Sequence, residues 1–200
     1  MAIFLLLTVL KGLENGMSFI SIVIRREAQC LSGTALMMDS NSKSITMKVL
    51  SVRQPYALLL VNGTKDVENR VRSTRHRGWL LIHASAQEHN IVQFLRKRFH
   101  LTSQDKLILS SIQEAESKNL FSAIIGMVKV SDCVTGHPSP WAEQGVFNWV
   151  VTDAVMFDNP IHGVKGRLGI WDYDSALLKL NLETAAMQGK ISIEEIYALR

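Results

Sequence analysis

Between Lys65 and Arg70 the chain packs four charged side chains into six residues: Lys65, Asp66, Glu68 and Arg70. An ammonium, a carboxylate and a guanidinium at this spacing can hold an anion or act as general acid and base beside a scissile bond. Burying all four carries large desolvation costs, so the segment is expected to line a wet surface or cleft. Lys65 and Glu68 are the candidate catalytic groups. Arg70, Arg72, Arg75 and Arg77 continue the series among small polar residues, an arrangement suited to bidentate phosphate contacts. Arg53 and Gln54 upstream and Trp149 downstream complete the candidate ligand contacts, the indole as a stacking face for an unpaired base. For Trp149 a place in the core is an equal alternative, and for Trp79 and Trp171 the core is the better assignment.

The elements around this segment decide whether the charges can meet. Pro55 opens a short helix that runs to Val61, since its missing amide hydrogen is no loss in a first turn, and Asn62-Gly63 closes it. Ala57 to Val61 is apolar on all sides, which predicts a buried helix. If Lys65 to Arg70 were one strand, period-two alternation would put Lys65 on the face opposite Glu68 and Arg70, so convergence requires a turn or bulge. Further strands are predicted at 47–52, 78–84, 123–134, 147–157 and 168–171. Gly126 marks a bulge or a close backbone approach. Helices are predicted at 87–99 and 105–118, and Ser192 and Glu195 are spaced for a capping box in a helical tail from Ser175. Strands in irregular alternation with a few helices indicate an α+β chain, best fitted by a small barrel with helices outside it.

At 200 residues the chain can bury one full core. Cys30 and Cys133 form neither a metal spacing nor a disulfide framework, which points to a reducing compartment, the cytoplasm. Ala2 to Leu10 is apolar but too short for a membrane span, and it lacks the basic flank of a secretory signal. Three readings compete for residues 1–46: an added helix, a disordered extension, or translated sequence upstream of a start at Met47; a dispensable appendage is the expectation. The net charge of +4 is unevenly placed. Residues 47–100 carry ten basic against three acidic residues, an excess of seven, whereas residues 101–200 carry eight against twelve, a deficit of four. Such asymmetry suits a surface that faces a polyanion. His83 in its apolar run reads as a satisfied core histidine, and the other histidines show no paired metal spacing, so no metal or cofactor is expected.

The pattern Gly63-x-Lys65-x-x-Glu68-x-Arg70 resembles the hallmark G-x-K-x-x-E-x-R of the ASCH domain, a PUA-like β-barrel family. Five further blocks resemble the same family in order: Leu50 to Ala57, Arg77 to Ala84, Ile124 to Val128, Asn148 to Val150, and Lys165 to Trp171. The resemblance covers 47–172 and implies an ASCH domain over 47–174 with a helical tail over 175–200. It implies a PUA-like β-barrel with flanking helices, and a cleft beside the first helix lined by Lys65, Glu68 and Arg70. The partner so implied is RNA, a nucleotide or a nucleoside. Some small ASCH proteins act as amidohydrolases on an acetylated cytidine nucleoside, with the hallmark lysine, a threonine three residues beyond it and a distant glutamate. Here Glu68 stands at the threonine position. Ribonuclease activity, with Lys65, Glu68 or His83 as acid and base, and a protein-interaction role in transcription are further readings.

Overall fold

The structure, a computed structural model, describes residues 45–98 and 100–198; the readings made for residues 1–44 lie outside the described residues. The elements are β1 (Met47–Gln54), α1 (Tyr56–Val61), β2 (Val67–Arg70), β3 (Gly78–Glu88), α2 (Asn90–Leu95), α3 (Ser103–Ser117), β4 (Ala123–Thr135), β5 (Phe147–His162), β6 (Ile170–Tyr173), α4 (Ala176–Met187) and α5 (Ile193–Ala198). The strands form one sheet in the order β2-β5-β4-β3-β1-β6. Only β1 and β3 run parallel among the paired strands.

Both faces of this sheet are covered, which is why β3 reads as an uninterrupted apolar run. Trp79 and Leu81 point toward α4 and α5 and cluster with Leu178, Leu182 and Ile196. Leu80, Ile82 and Ala84 point the other way and cluster with Ala57, Leu58, Leu60 and Val61 of α1. Full burial of each such leucine contributes roughly 1.5–3 kcal/mol at most. The close approach anticipated at Gly126 is present. A Cβ there would stand 2.3 Å from the carbonyl oxygen of Val155 and 3.0 Å from Cβ of Val61, and the β4–β5 register shifts beside it.

The sheet is strongly curled. β2 and β1 are separated by three intervening strands, so at about 4.8 Å per step a flat sheet would hold them about 19 Å apart. Yet Nη2 of Arg70 on β2 donates to the carbonyl oxygen of Ser51 on β1 at 2.8 Å. The α+β arrangement with flanking helices is therefore as expected. The hydrogen-bonded ladder itself ends at β2 and β6, and no strand pairing joins these ends among the described residues.

Several boundaries differ from the sequence reading, and the last strand starts at Ile170 instead of Leu168. Residues 87 and 88, assigned to a helix, extend β3, because Glu88 pairs with Gln54 and the amide of His89 donates to the carbonyl of Gln54 at 2.7 Å. The helix that follows is only Asn90–Leu95, with Nδ1 of His89 accepting from the Ile91 amide. β5 likewise runs on to His162, since the start of β4 at Ala123 offers it a partner. In the tail, Ser192 and Glu195 form the reciprocal cap expected of them. No helix among the described residues is long and apolar enough to cross a membrane.

Candidate functional site

The polypeptide leaves α1 through Asn62 and through Gly63, whose φ of +78° is the left-handed turn that glycine tolerates. The Lys65 amide then bonds back to the carbonyl of Leu59 at 2.8 Å, so Lys65 sits in a turn before β2 begins at Val67. This turn is the device that brings Lys65 to the side of Glu68 and Arg70. Nζ of Lys65 donates to Oε2 of Glu68 at 3.1 Å and to the carbonyl of Val67, and lies 5.6 Å from the centre of the Tyr56 ring. Oε1 of Glu68 accepts from Nε of Arg70 at 3.0 Å. One carboxylate thus serves two cations.

The charges expected to line a wet surface or cleft are more deeply buried than their number suggests. Lys65 is only 3% exposed and Glu68 12%, while Arg70 is 29% exposed. Mutual pairing and the Val67 carbonyl offset the desolvation that made burial look prohibitive. Asp66 does face outward, against the hydroxyl of Ser139.

Lys65, Glu68 and Arg70 open onto a cleft of about 970 Å³, and Arg53 stands exposed on its lip. Gln54 does not reach it. Its side chain is fully buried, accepting from the Leu58 amide at 3.1 Å and donating to the Leu120 carbonyl at 2.7 Å, so it anchors α1. Trp149 is buried too, with its indole N–H donating to the Arg72 carbonyl at 3.1 Å and the Arg70 guanidinium 6.0 Å from its ring. It is a core residue with no stacking face to offer. Arg72, Arg75 and Arg77 lie on the exposed segment after β2 and outside the cleft, and Arg77 pairs with Asp132 at 2.9 Å.

Several lining residues were not singled out as ligand contacts by sequence. Lys165 and Arg167 are exposed on the loop between β5 and β6, and their signal in the sequence was the block Lys165 to Trp171 with two cations flanking Gly166. Gly166 is required there, since a Cβ would fall 2.7 Å from Cε1 of His83 and 3.1 Å from Oγ of Ser51. The opposite wall carries Trp141 and Glu143. It is pinned by the buried Asn148 and by Asn69: Nδ2 of Asn148 donates to Oδ1 of Asn69 at 2.9 Å and to the Glu143 carbonyl at 3.2 Å, and Nδ2 of Asn69 donates to the Trp141 carbonyl at 2.8 Å. No local pattern announces such a pair.

Two titratable groups in the cleft are displaced from ordinary behaviour. Burial, then the carboxylates of Glu143 and Glu68, raise the pKa of the Tyr56 hydroxyl and keep it protonated. Burial lowers that of His83 against the opposing effect of its bond to the Val164 carbonyl. Neutral His83 must donate through Nε2 to that carbonyl, at 2.8 Å, which leaves Nδ1 as a buried acceptor with no partner among the described residues. The satisfied core histidine of the sequence reading is thus only half satisfied, and it lies at the edge of the cleft.

Comparison with known proteins bears on this arrangement. No curated protein matches the chain. Among solved structures, a tyrosine-to-phenylalanine variant of ZmASCH from Zymomonas mobilis aligns at 13% identity with a TM-score of 0.41, covering 69% of this chain and 96% of the other. The ASCH domain pattern matches residues 50–161, more than half of the 200 residues. The matched span runs from within β1 to within β5 and takes in the turn, the pairing and the carboxylate described above: the chain belongs to the ASCH-domain family.

Proposed function

We propose that the cleft binds single-stranded RNA or a nucleotide, with phosphate at the lip formed by Arg53, Lys165 and Arg167 and the base turned inward toward Tyr56. Five cations and two carboxylates line the cleft, an excess of three positive charges: Arg53, Lys65, Arg70, Lys165 and Arg167 against Glu68 and Glu143. The observation that carries the reading is how these are divided. Lys65 and Arg70 are committed to Glu68, whereas Arg53, Lys165 and Arg167 have no carboxylate partner among the described residues. Unpaired cations around a concavity are what a phosphate-bearing guest requires. In this reading the curled sheet is the PUA-like barrel, closed across its seam by Arg70 on Ser51, and residues 175–200 are a tail that supports it.

The amidohydrolase reading is less well supported. Glu68 occupies the position where related enzymes keep a threonine, and both its oxygens are engaged. Moving a nucleophile by even one residue takes it out of productive reach.

Fluorescence anisotropy with a labelled single-stranded RNA across a salt series tests the proposal. Affinity is expected to fall with salt at a log–log slope of about −2 for three phosphate contacts, and Lys165→Ala with Arg167→Ala should flatten it by about 1.4. Absence of binding at low salt, or binding indifferent to salt, discards the reading.

A further inference from the structure

The unpaired cations of this molecule are not confined to the cleft. Of the seventeen lysines and arginines among the described residues, nine are paired with carboxylates and eight are not. Lys97 follows α2, and Lys106 and Lys179 lie on α3 and α4, away from the cleft lining. The remaining five are Arg53, Lys165 and Arg167 at the lip and Arg72 and Arg75 on the segment that leaves it.

Ser51 joins these two groups. Its carbonyl accepts from Arg70, the residue that leads into the 71–77 segment, and its hydroxyl accepts from the Arg167 amide at 3.2 Å and the Trp171 indole at 3.3 Å. The loop bearing Lys165 and Arg167 and the strand end leading to Arg72 therefore converge on one residue. Val71 is 82% exposed and still lines the cleft, so Arg72 begins where the cleft ends. Arg75 lies four residues beyond Val71, within about 13 Å at full extension. The segment is held in place: Trp149 fixes the Arg72 carbonyl, Sγ of Cys133 accepts from the Thr74 amide at 3.5 Å, and the Thr74 hydroxyl accepts from the His76 amide at 3.0 Å. It extends from β2, an edge strand, so among the described residues no further strand of the sheet lies beyond that edge.

We infer that the ligand is a polynucleotide strand several residues long, with one nucleotide in the cleft and the adjoining phosphates carried outward over Ser51 onto Arg72 and Arg75. This rests on the cleft reading above and specifies its substrate class. A mononucleotide uses only the lip. A strand has phosphates enough to meet both groups of cations.

Competition binding of a 5′-phosphorylated mononucleotide against single-stranded RNAs of two, four, six and eight nucleotides tests this on the full chain. Affinity should rise with length by about tenfold or more before levelling off, the scale expected when two added phosphates release counterions. Arg72→Ala with Arg75→Ala should collapse that gain with length to within about twofold and reduce the salt slope for the octanucleotide by about 1.4. Both side chains are exposed and the Arg72 carbonyl is untouched, so the double variant should fold, which circular dichroism checks. A mononucleotide that binds as tightly as the octanucleotide overturns the inference and leaves the cleft reading standing. No binding of either at low salt removes both. An RNA duplex that binds as tightly as the single strand, or an acidic peptide that competes through Arg72 and Arg75 while RNA length has no effect, also overturns it.

Discussion

Two lysine–glutamate pairs lie on the two sides of the same sheet, and burial gives them different tasks. Lys129 and Glu195 meet at 2.9 Å with more than a third of each side chain exposed, and Glu195 also accepts from the Trp79 indole at 3.2 Å and the Ser192 amide at 3.1 Å. This pair fastens α5 to the sheet from outside, with water close by. Lys65 and Glu68 meet at a similar 3.1 Å but almost out of contact with solvent. A buried pair is a poor source of stability, since desolvation consumes much of the attraction, but it is unforgiving when one partner is lost. The outer pair holds an element down, and the inner pair lines a concavity.

The largest effect that separates them is Glu68→Ala, which leaves two cations facing each other around an empty place. A loss of about 3–5 kcal/mol in urea unfolding is expected, against a far smaller loss for Glu195→Ala. Equal losses would show that burial does not distinguish the pairs. Gly166→Ala comes next. Its new Cβ must displace the loop from His83 and Ser51, which should lower stability by about 1–3 kcal/mol and weaken RNA binding in anisotropy measurements.

Acid sharpens the comparison further. The folded His83 has a lowered pKa, so the unfolded chain binds more protons as pH falls below the ordinary value of about 6.5. Its contribution is complete above that pH and declines as pH drops toward the lowered value. Urea titrations between pH 5 and 8 should show this decline in the native chain and a flatter profile in His83→Gln. The smallest effect belongs to the outer pair. Glu195 has a lowered pKa, chiefly through Lys129, and Lys129 a raised one, chiefly through Glu195. The clamp therefore weakens only as pH falls through the lowered carboxyl value or rises through the raised ammonium value. The hydrogen-exchange protection factors of α5, with the intrinsic pH dependence of amide exchange divided out, should be steady across neutral pH and fall at both extremes, and Glu195→Gln should remove that dependence.

What the chain disclosed in advance was local. The stop at Asn62-Gly63, the burial of α1, the close approach at Gly126 and the cap at Ser192 and Glu195 each depend on neighbours within a few residues or on a glycine's missing side chain. What it withheld depended on partners far along the chain. Gln54 looked available for a ligand because its acceptor, the Leu120 carbonyl, lies 66 positions away. Trp149 looked open because the carbonyl it reaches, that of Arg72, is 77 positions away. Lys65 was harder still. Its parity was wrong for a strand, and only a turn pinned on Leu59 puts the ammonium beside Glu68. The wall held by Asn69 and Asn148 had no periodic or compositional trace at all.

The bond from β2 to β1 has an asymmetric genetic vulnerability. Arg70 supplies a side chain, but Ser51 supplies a main-chain oxygen, which every amino acid at position 51 would also carry. The acceptor atom therefore persists through any substitution at position 51, whereas a substitution of Arg70 removes the donor.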